Sequence, residues 1–230
     1  MFKITILFCS TLFIISCNNK AQVQNNPIET TSTITAEPEN KPLALENTDL
    51  SKLSDYERDL MLIRIRKDIN FKTSLESPLI ESDKPDFTGL NYYPPDESYK
   101  VLADINFTHH EKAEFKTSKN GTEDYYSYAE VSFKIKGNKY KLTVYSNTPG
   151  MPRTMFIPFK DLTNGKETYN AGRFIETQIP TSKVLELDFN QAYNPYCHYN
   201  FNYSCPLVPD VNNLNIEIKA GEKILAGHEH

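Results

Sequence analysis

A charged pair is the first candidate for chemistry. Asp161 begins the turn in FKDLTNG, and Arg173 opens an alternating stretch a few residues later. A carboxylate at the head of a turn accepts hydrogen bonds from amides one and two residues on, and a guanidinium pairs with carboxylates through a planar fork. In one interpretation, Arg173 pairs with Asp188 or Glu222 in the interior and fixes strand register. In the other, Arg173 and Tyr169 bind an anionic or carbonyl group of a ligand.

The stretch LDFNQAYNPYCHYNFNYSCP, residues 187–206, is unusually rich in aromatic side chains. Tyrosine combines an apolar ring with a polar hydroxyl, so several of these side chains are expected to line a pocket or cover the end of a barrel. We single out Tyr193, Asn194 and Tyr196 as further ligand-binding candidates. The segment is predicted to form an aromatic lid.

Cys197 and Cys205 lie within this lid and would close a nine-residue loop. In an oxidising compartment an even pair favours a disulfide, which stabilises by roughly 2.5 kcal/mol in the chain-entropy model. Unpaired buried thiols, a nucleophilic cysteine and a metal site with His198 are the alternatives. Zinc sites have four ligands in recognisable spacings, and Cys-His-x6-Cys is not one of them. We therefore predict no metal site, and the sequence implies no particular cofactor.

The N-terminal stretch MFKITILFCSTLFIISCNNK is typical of an exported protein. Its apolar run, residues 4–15, is too short to span a bilayer and is predicted to belong to a signal peptide of residues 1–16. The end of this run, ISC, resembles the bacterial lipobox, in which the cysteine carries the lipid. Cys17 is the expected lipidation site, with an ordinary signal peptide as the alternative. Asn18, where an aspartate would favour the inner membrane, predicts a lipid-anchored protein of the outer membrane facing the periplasm.

The remaining chain divides into a tether and one domain. Residues 17–48 are rich in Asn, Thr, Pro and Glu without an apolar period, which predicts a disordered tether. Residues 49–230 suit a single β-rich domain. The net charge is −5 and no basic stripe is visible, so nucleic acid is not an expected partner.

One helix is predicted, over residues 51–72. Ser54 and Glu57 fit a capping box at its start. The apolar stripe that should dock it comprises Leu53, Tyr56, Leu60 and Ile63. The basic residues expected on its solvated face are Arg58, Arg64, Arg66 and Lys67.

From Tyr99 onward the apolar period changes to two, which is typical of half-buried strands. Turn signals occur at Asn120–Gly121, Gly137–Asn138 and Asn164–Gly165. We count eight or nine short strands, the last being NLNIEIKA at residues 213–220. This rhythm predicts a mainly β fold, an antiparallel barrel or sandwich with one N-terminal amphipathic helix.

Several longer motifs occur in a fixed order. These are FKDLTNGKETYNAGRF, LDFNQAYNPYCHYNFNYSCP, NNL and AGEK, preceded by SPL, FTGLNYYPPDESYKV and AEFKTS. Together they resemble the signature of the bacterial and archaeal domain-of-unknown-function 1684 family, over essentially everything from Ser51 onward. The sequence Pro-Leu-Val-Pro at residues 206–209 departs from the family's usual Pro-x-Pro-Pro, and the chain resembles a short form. The family implies no established activity, cofactor or catalytic residue.

Three functional hypotheses follow. The first is a lipid-anchored β domain that binds a small molecule or the end of a peptide. The second is a hydrolase-like envelope enzyme with Asp161 or Glu222 as base and Arg173 stabilising developing charge; no Ser-His-Asp pattern or HExxH motif accompanies it. The third is an envelope interaction module that holds a partner protein on its sheet.

Overall fold

The computed structural model describes residues 50–225 and 227. The predicted signal peptide (residues 1–16), the lipidation site Cys17 and the tether (residues 17–48) lie outside these residues. Within the part that is described, no helix combines the length and apolar character needed to cross a bilayer.

Helix α1 spans Asp55–Thr73 and begins at the predicted capping box. The Glu57 amide donates to the Ser54 hydroxyl at 3.2 Å, and the Ser54 amide donates to the Glu57 carboxylate at 2.8 Å. These reciprocal bonds satisfy amides that have no partner within the helix. The predicted start of the helix is confirmed.

The face by which α1 packs differs from the prediction. Its buried residues are Leu60, Arg64, Ile65, Asp68 and Phe71. Ile63, predicted to dock, is 47% exposed, whereas Arg64 is buried. Arg64 can be buried because its guanidinium donates to the Tyr93 carbonyl at 2.9 Å and lies 4.4 Å from the centre of the Tyr92 ring. The prediction that Arg64 belongs to the solvated face is therefore wrong.

Six strands follow the helix. They are β1 (Lys100–Lys116), β2 (Thr122–Ile135), β3 (Asn138–Ser146), β4 (Thr154–Phe159), β5 (Arg173–Gln178) and β6 (Val184–Asp188). Their order in the sheet is β5-β4-β3-β2-β1-β6, and every neighbouring pair is antiparallel. The sheet curls into a nearly closed barrel with β5 and β6 at its two edges. The predicted fold class is confirmed.

The hairpin turns occur close to the predicted positions. Between β1 and β2, Asn120 has φ +58°, and between β2 and β3, Lys136 and Gly137 have φ +49° and +80°. Asn and Gly tolerate these left-handed conformations well. The turn therefore sets the register of each pair.

Alternation along β4 and β5 divides buried from outward side chains. Met155, Ile157 and Phe159 of β4 are completely buried in the core of the barrel. On β5, Arg173 and Ile175 point to the same interior, because successive side chains of a strand point to opposite faces. The intervening residues of both strands lie on the outer face.

The described residues contain six strands rather than the eight or nine predicted. Residues 213–220 are the clearest difference, since they form no strand although Ile218 is completely buried. The backbone of Lys160 and Leu162 pairs with Leu214 and Ile216 over a short stretch, and side chains bind the backbone that follows. The Ile218 amide donates to the Asp161 carboxylate at 3.2 Å, and Arg173 donates to the Ile218 carbonyl at 2.9 Å. Periodicity alone cannot distinguish this arrangement from a strand.

Candidate ligand-binding site

Arg173 and Asp161 form an ion pair with no solvent access to either side chain. Their Nη2 and Oδ2 atoms lie 2.8 Å apart, and both side chains are 0% exposed. The predicted pairing of Arg173 with the carboxylate of Asp188 or Glu222 is therefore wrong. The guanidinium instead pairs with the acid of the preceding turn.

Further hydrogen bonds tie this pair to the surrounding backbone. Arg173 donates to the carbonyls of Ile218, Ala220 and Glu222. Asp161 accepts from both the amide and the hydroxyl of Thr163, at 2.8 and 2.6 Å. Buried charges need such partners to offset their lost hydration. This geometry corresponds to an internal ion pair that holds residues 213–222 against the barrel.

The Glu222 carboxylate is the centre of a second buried network. It accepts hydrogen bonds from the Tyr199 hydroxyl at 2.6 Å and from the backbone amide of Asn194 at 2.8 Å. It also forms an ion pair with Lys67 of α1, whose side chain is 28% exposed whereas that of Glu222 is 2% exposed. Lys67 therefore links a buried acid to the molecular surface.

Asp188 serves a different part of the structure. It accepts from the Tyr56 hydroxyl at 3.0 Å and from the Asn190 amide at 3.0 Å. These bonds join the first turns of α1 to the end of β6 and close the turn that follows it. Asp188 does not line the cleft described next.

An open cleft of about 500 Å³ lies on the outer face of β4 and β5. Six aromatic side chains line it: Tyr125, Phe156, Phe174, Tyr193, Tyr196 and Tyr203. Phe174 reaches the cleft because it follows Arg173 in the strand and therefore points to the opposite face. The segment 193–206 and Lys67 of α1 complete the walls.

Two charged residues line the cleft, Lys67 over the face of the Tyr193 ring and Glu176 at its hydroxyl. The Lys67 ammonium lies 4.8 Å from the ring centre, which is within the range of a cation–π contact. The Tyr193 hydroxyl donates to Glu176 Oε1 at 2.9 Å. The ring is thereby held between a base and an acid.

Burial fixes the protonation of the two phenols in these networks. Burial, reinforced by Glu176, raises the pKa of Tyr193 well above its usual range. Burial, reinforced by Glu222, does the same to the pKa of Tyr199. Both hydroxyls therefore keep their protons at neutral pH and act as hydrogen-bond donors to the carboxylates.

Of the candidate residues predicted from the sequence, Tyr193 and Tyr196 line the cleft. Tyr169 and Asn194 lie behind it: the Tyr169 hydroxyl is 3.7 Å from Cys197 Sγ, and the Asn194 side chain donates to the Lys223 carbonyl at 2.9 Å. The structure thus divides the predicted set between the cleft, the Asp161–Arg173 pair, the networks of Glu222 and Asp188, and the contact of Tyr169 with Cys197.

Cys197 and Cys205 are free thiols in the structure, so the predicted disulfide is not present. The loop nevertheless brings them together, since the Cys197 amide donates to Cys205 Sγ at 3.1 Å. The hydrogen bond with the Cys205 thiol lowers the pKa of Cys197 to about 7. Among the described residues, no three His, Cys, Asp or Glu side chains gather in a way that could hold a metal ion.

Sequence reasoning missed both charges and three of the six rings, namely Tyr125, Phe156 and Phe174; Tyr203 belongs to the predicted lid but was not singled out. The inward position of Lys67 could have been found from the sequence, because this residue recurs at helical spacing with Arg64, Asp68 and Phe71, and all four face the domain. No sequence pattern pointed to Glu176 and the neighbouring rings, since alternation does not reveal which part of the outer face of a sheet will be covered. The cleft depends on contacts between β4, β5 and the lid.

Comparison with known proteins identifies the family to which this domain belongs. A family model described as a protein of unknown function, DUF1684, matches residues 85–223. The chain belongs to the DUF1684 family. The match includes all six strands and the lid, whereas Lys67 lies before it. The family membership predicted from the motifs is confirmed.

Several chains of solved structures are similar to this DUF1684 chain. One of them is a solution NMR structure of an uncharacterised protein from Haloarcula marismortui, 34% identical with a TM-score of 0.59. The similarity covers 74% of this chain and 94% of that protein. A search of curated proteins finds no match.

Proposed function

We propose that this protein is a ligand-binding module of the cell envelope, anchored by lipid, whose aromatic cleft holds a small molecule or the end of a peptide. The observation that carries the proposal is the cleft on the outer face of β4 and β5, where rings surround a few placed polar groups. Small-molecule sites generally have this composition and volumes of roughly 300–1,000 Å³.

The envelope location rests on the N-terminal sequence. A short apolar run followed by Ser16 and Cys17 is typical of a lipoprotein signal, and Asn18 favours the outer membrane. In the oxidising periplasm we expect the adjacent Cys197 and Cys205 to become joined, which would tighten the lid beside the cleft.

The contacts of the predicted catalytic residues favour binding over hydrolysis. Asp161 and Arg173 are completely buried and bound to each other. Glu222 is surrounded by three donors. A general base must come within hydrogen-bond reach of the proton that it removes, and none of these three groups faces the cleft.

Ligand binding is tested with native mass spectrometry of the purified protein and with thermal unfolding across a metabolite panel. A ligand present at a hundred times its Kd raises the free energy of unfolding by about 2.7 kcal/mol. If no compound co-purifies with the protein and none in a broad panel changes its stability, the proposal is wrong.

The cleft itself is tested by a pair of variants from the same segment. Tyr196 lines the cleft and is 44% exposed, whereas Phe201 is 75% exposed and lies outside it. We expect Tyr196→Ala to weaken ligand binding about tenfold or more and Phe201→Ala to leave it unchanged. Equal affinities in the two variants would place the ligand elsewhere.

A further inference from the structure

The rings of the cleft form a nearly continuous wall. The ring centres of Tyr125 and Phe156 lie 5.3 Å apart, those of Phe156 and Phe174 4.9 Å, and those of Phe174 and Tyr193 5.9 Å. On the far side, Tyr196 packs edge-on against Tyr203. The faces of aromatic rings carry negative electrostatic potential and attract cations.

The charges around the cleft do not cancel. Lys67 is neutralised by Glu222, which lies behind it and out of solvent. Glu176 is exposed and forms no ion pair within the described residues; its contact is the hydroxyl of Tyr193. The cleft therefore presents one uncompensated carboxylate to a ligand.

The ring faces of this region already hold one ammonium group. Lys67 Nζ lies 4.8 Å from the centre of the Tyr193 ring and 5.5 Å from that of Phe71. Its own counter-charge is Glu222. A second cation placed beside Glu176 would have a separate counter-charge at the hydroxyl end of the same Tyr193 ring.

The field of Glu176 extends over several walls of the cleft. Burial is the main cause that raises the pKa of Tyr125, Tyr193 and Tyr196 above the usual range for tyrosine, and Glu176 contributes to each. The charge of Glu176 therefore acts on three of the rings that line the cleft.

We infer that the cleft selects an organic ammonium group, with Glu176 as its counter-ion and the surrounding rings as its cage. Cages of this kind are a general solution for binding alkylated ammonium ions. The inference rests on the proposed function, because it names the class of ligand that the same cleft would take. A carboxylate ligand would meet the repulsion of Glu176, and a neutral one would gain nothing from it.

Three probes of nearly equal shape and different charge test the inference. They are choline, its neutral carbon isostere 3,3-dimethylbutan-1-ol, and the anion 3,3-dimethylbutanoate, each titrated into the protein while the tyrosine ring signals are followed by NMR. We expect choline to bind at least about tenfold more tightly than either of the others. If the neutral probe binds as tightly as choline, or the anion more tightly, the cleft binds ligands but the charge selectivity is wrong. If none of the three probes binds, the ammonium inference is overturned. The proposed function is tested separately, by the metabolite panel.

Charge-matched variants give a second readout. We expect Glu176→Gln to reduce the affinity for choline about tenfold and to leave that for the neutral alcohol unchanged. The control is Glu130→Gln, which removes a solvent-accessible carboxylate that pairs with Lys141 away from the cleft. Thermal unfolding of both variants checks that they remain folded. An unchanged affinity of Glu176→Gln for choline would overturn the inference.

Discussion

Arg173 and Asp161 show how individual charges are retained inside the barrel. Each gains two or more hydrogen bonds in addition to the 2.8 Å ion pair, which replace most of the lost contacts with water, while Arg173 Nε has no acceptor among the described residues. The cost of breaking such a pair comes from the partner that remains, because it stays buried without a counter-charge. An ion pair of the same residues exposed to solvent would contribute little to the free energy of unfolding.

We predict that Asp161→Asn lowers the free energy of unfolding by about 3 kcal/mol, because it leaves a buried guanidinium uncompensated. The matched control is Asp124→Asn, since Asp124 pairs with Lys112 at 2.8 Å on the surface and should cost less than about 1 kcal/mol. Urea denaturation measures both. Similar losses in the two variants would contradict this account of the interior pair.

Asp68 provides a pH-dependent contribution. Burial raises its pKa to about 6, although the Leu90 amide donates to it at 3.1 Å. A carboxyl whose pKa is raised on folding stabilises the fold while it is protonated, below its ordinary pKa near 4. That contribution is lost as the pH rises through about 6.

We therefore expect Asp68→Asn, which carries no charge at any pH, to gain stability relative to the unmodified protein between pH 5 and pH 7.5. Melting temperatures of both proteins across this interval measure the effect. A difference that does not change with pH would show that the Asp68 carboxyl titrates normally.

At the scale of elements, the lid and residues 213–222 close the structure by approaching other backbone directly. Gly221 has φ +79°, and a Cβ atom there would lie 2.6 Å from the Ala192 carbonyl oxygen and 2.8 Å from that of Phe189. These neighbours are backbone atoms and cannot rotate away. Gly221 thereby positions Glu222 beneath Lys67.

We predict that Gly221→Ala destabilises the protein by more than about 1 kcal/mol, since alanine is strained at positive φ. It should also weaken ligand binding, because Glu222 would shift. Gly150→Ala is the control: a Cβ atom there meets nothing within 4 Å. Chemical denaturation and ligand titration of both variants measure the difference, and a tolerated Gly221→Ala would show that the contact is not tight.

The elements that could be predicted from the sequence are those encoded locally. The capping box at Ser54 and the alternation within each strand depend on near neighbours, and the structure agrees with both. The docking face of α1 could not be predicted, because Arg64 is satisfied by the carbonyl of Tyr93, far along the chain. Residues 213–220 alternate like a strand, but their partners are the backbone of Lys160 and Leu162 and the side chains of Asp161 and Arg173, which alternation does not reveal. In the cleft, Tyr193 and Tyr196 could be predicted from the aromatic composition of their segment. Glu176 could not, because it lines the cleft only where β5 and the lid pack together.

At the scale of the whole molecule, the proposed attachment to the membrane depends on a lipid at Cys17. We predict that Cys17→Ser abolishes labelling of the full-length chain by radioactive palmitate and moves the protein out of the membrane fraction of the cell. Cys9→Ser alters the other N-terminal cysteine and should leave both unchanged. Retained labelling in Cys17→Ser would show that the lipid, if present, is attached elsewhere.

The position of the acceptors of Arg173 has a consequence for biosynthesis. The carbonyls that receive its hydrogen bonds lie 45 to 49 residues further along the chain. A ribosome adds roughly 5–20 residues per second. Several seconds therefore pass after β5 is made before these carbonyls exist and can replace the hydration that the guanidinium loses on burial. Until then Arg173 lacks the carbonyl acceptors that it has in the folded domain, so we expect the barrel to close only after residues 218–222 have been synthesised.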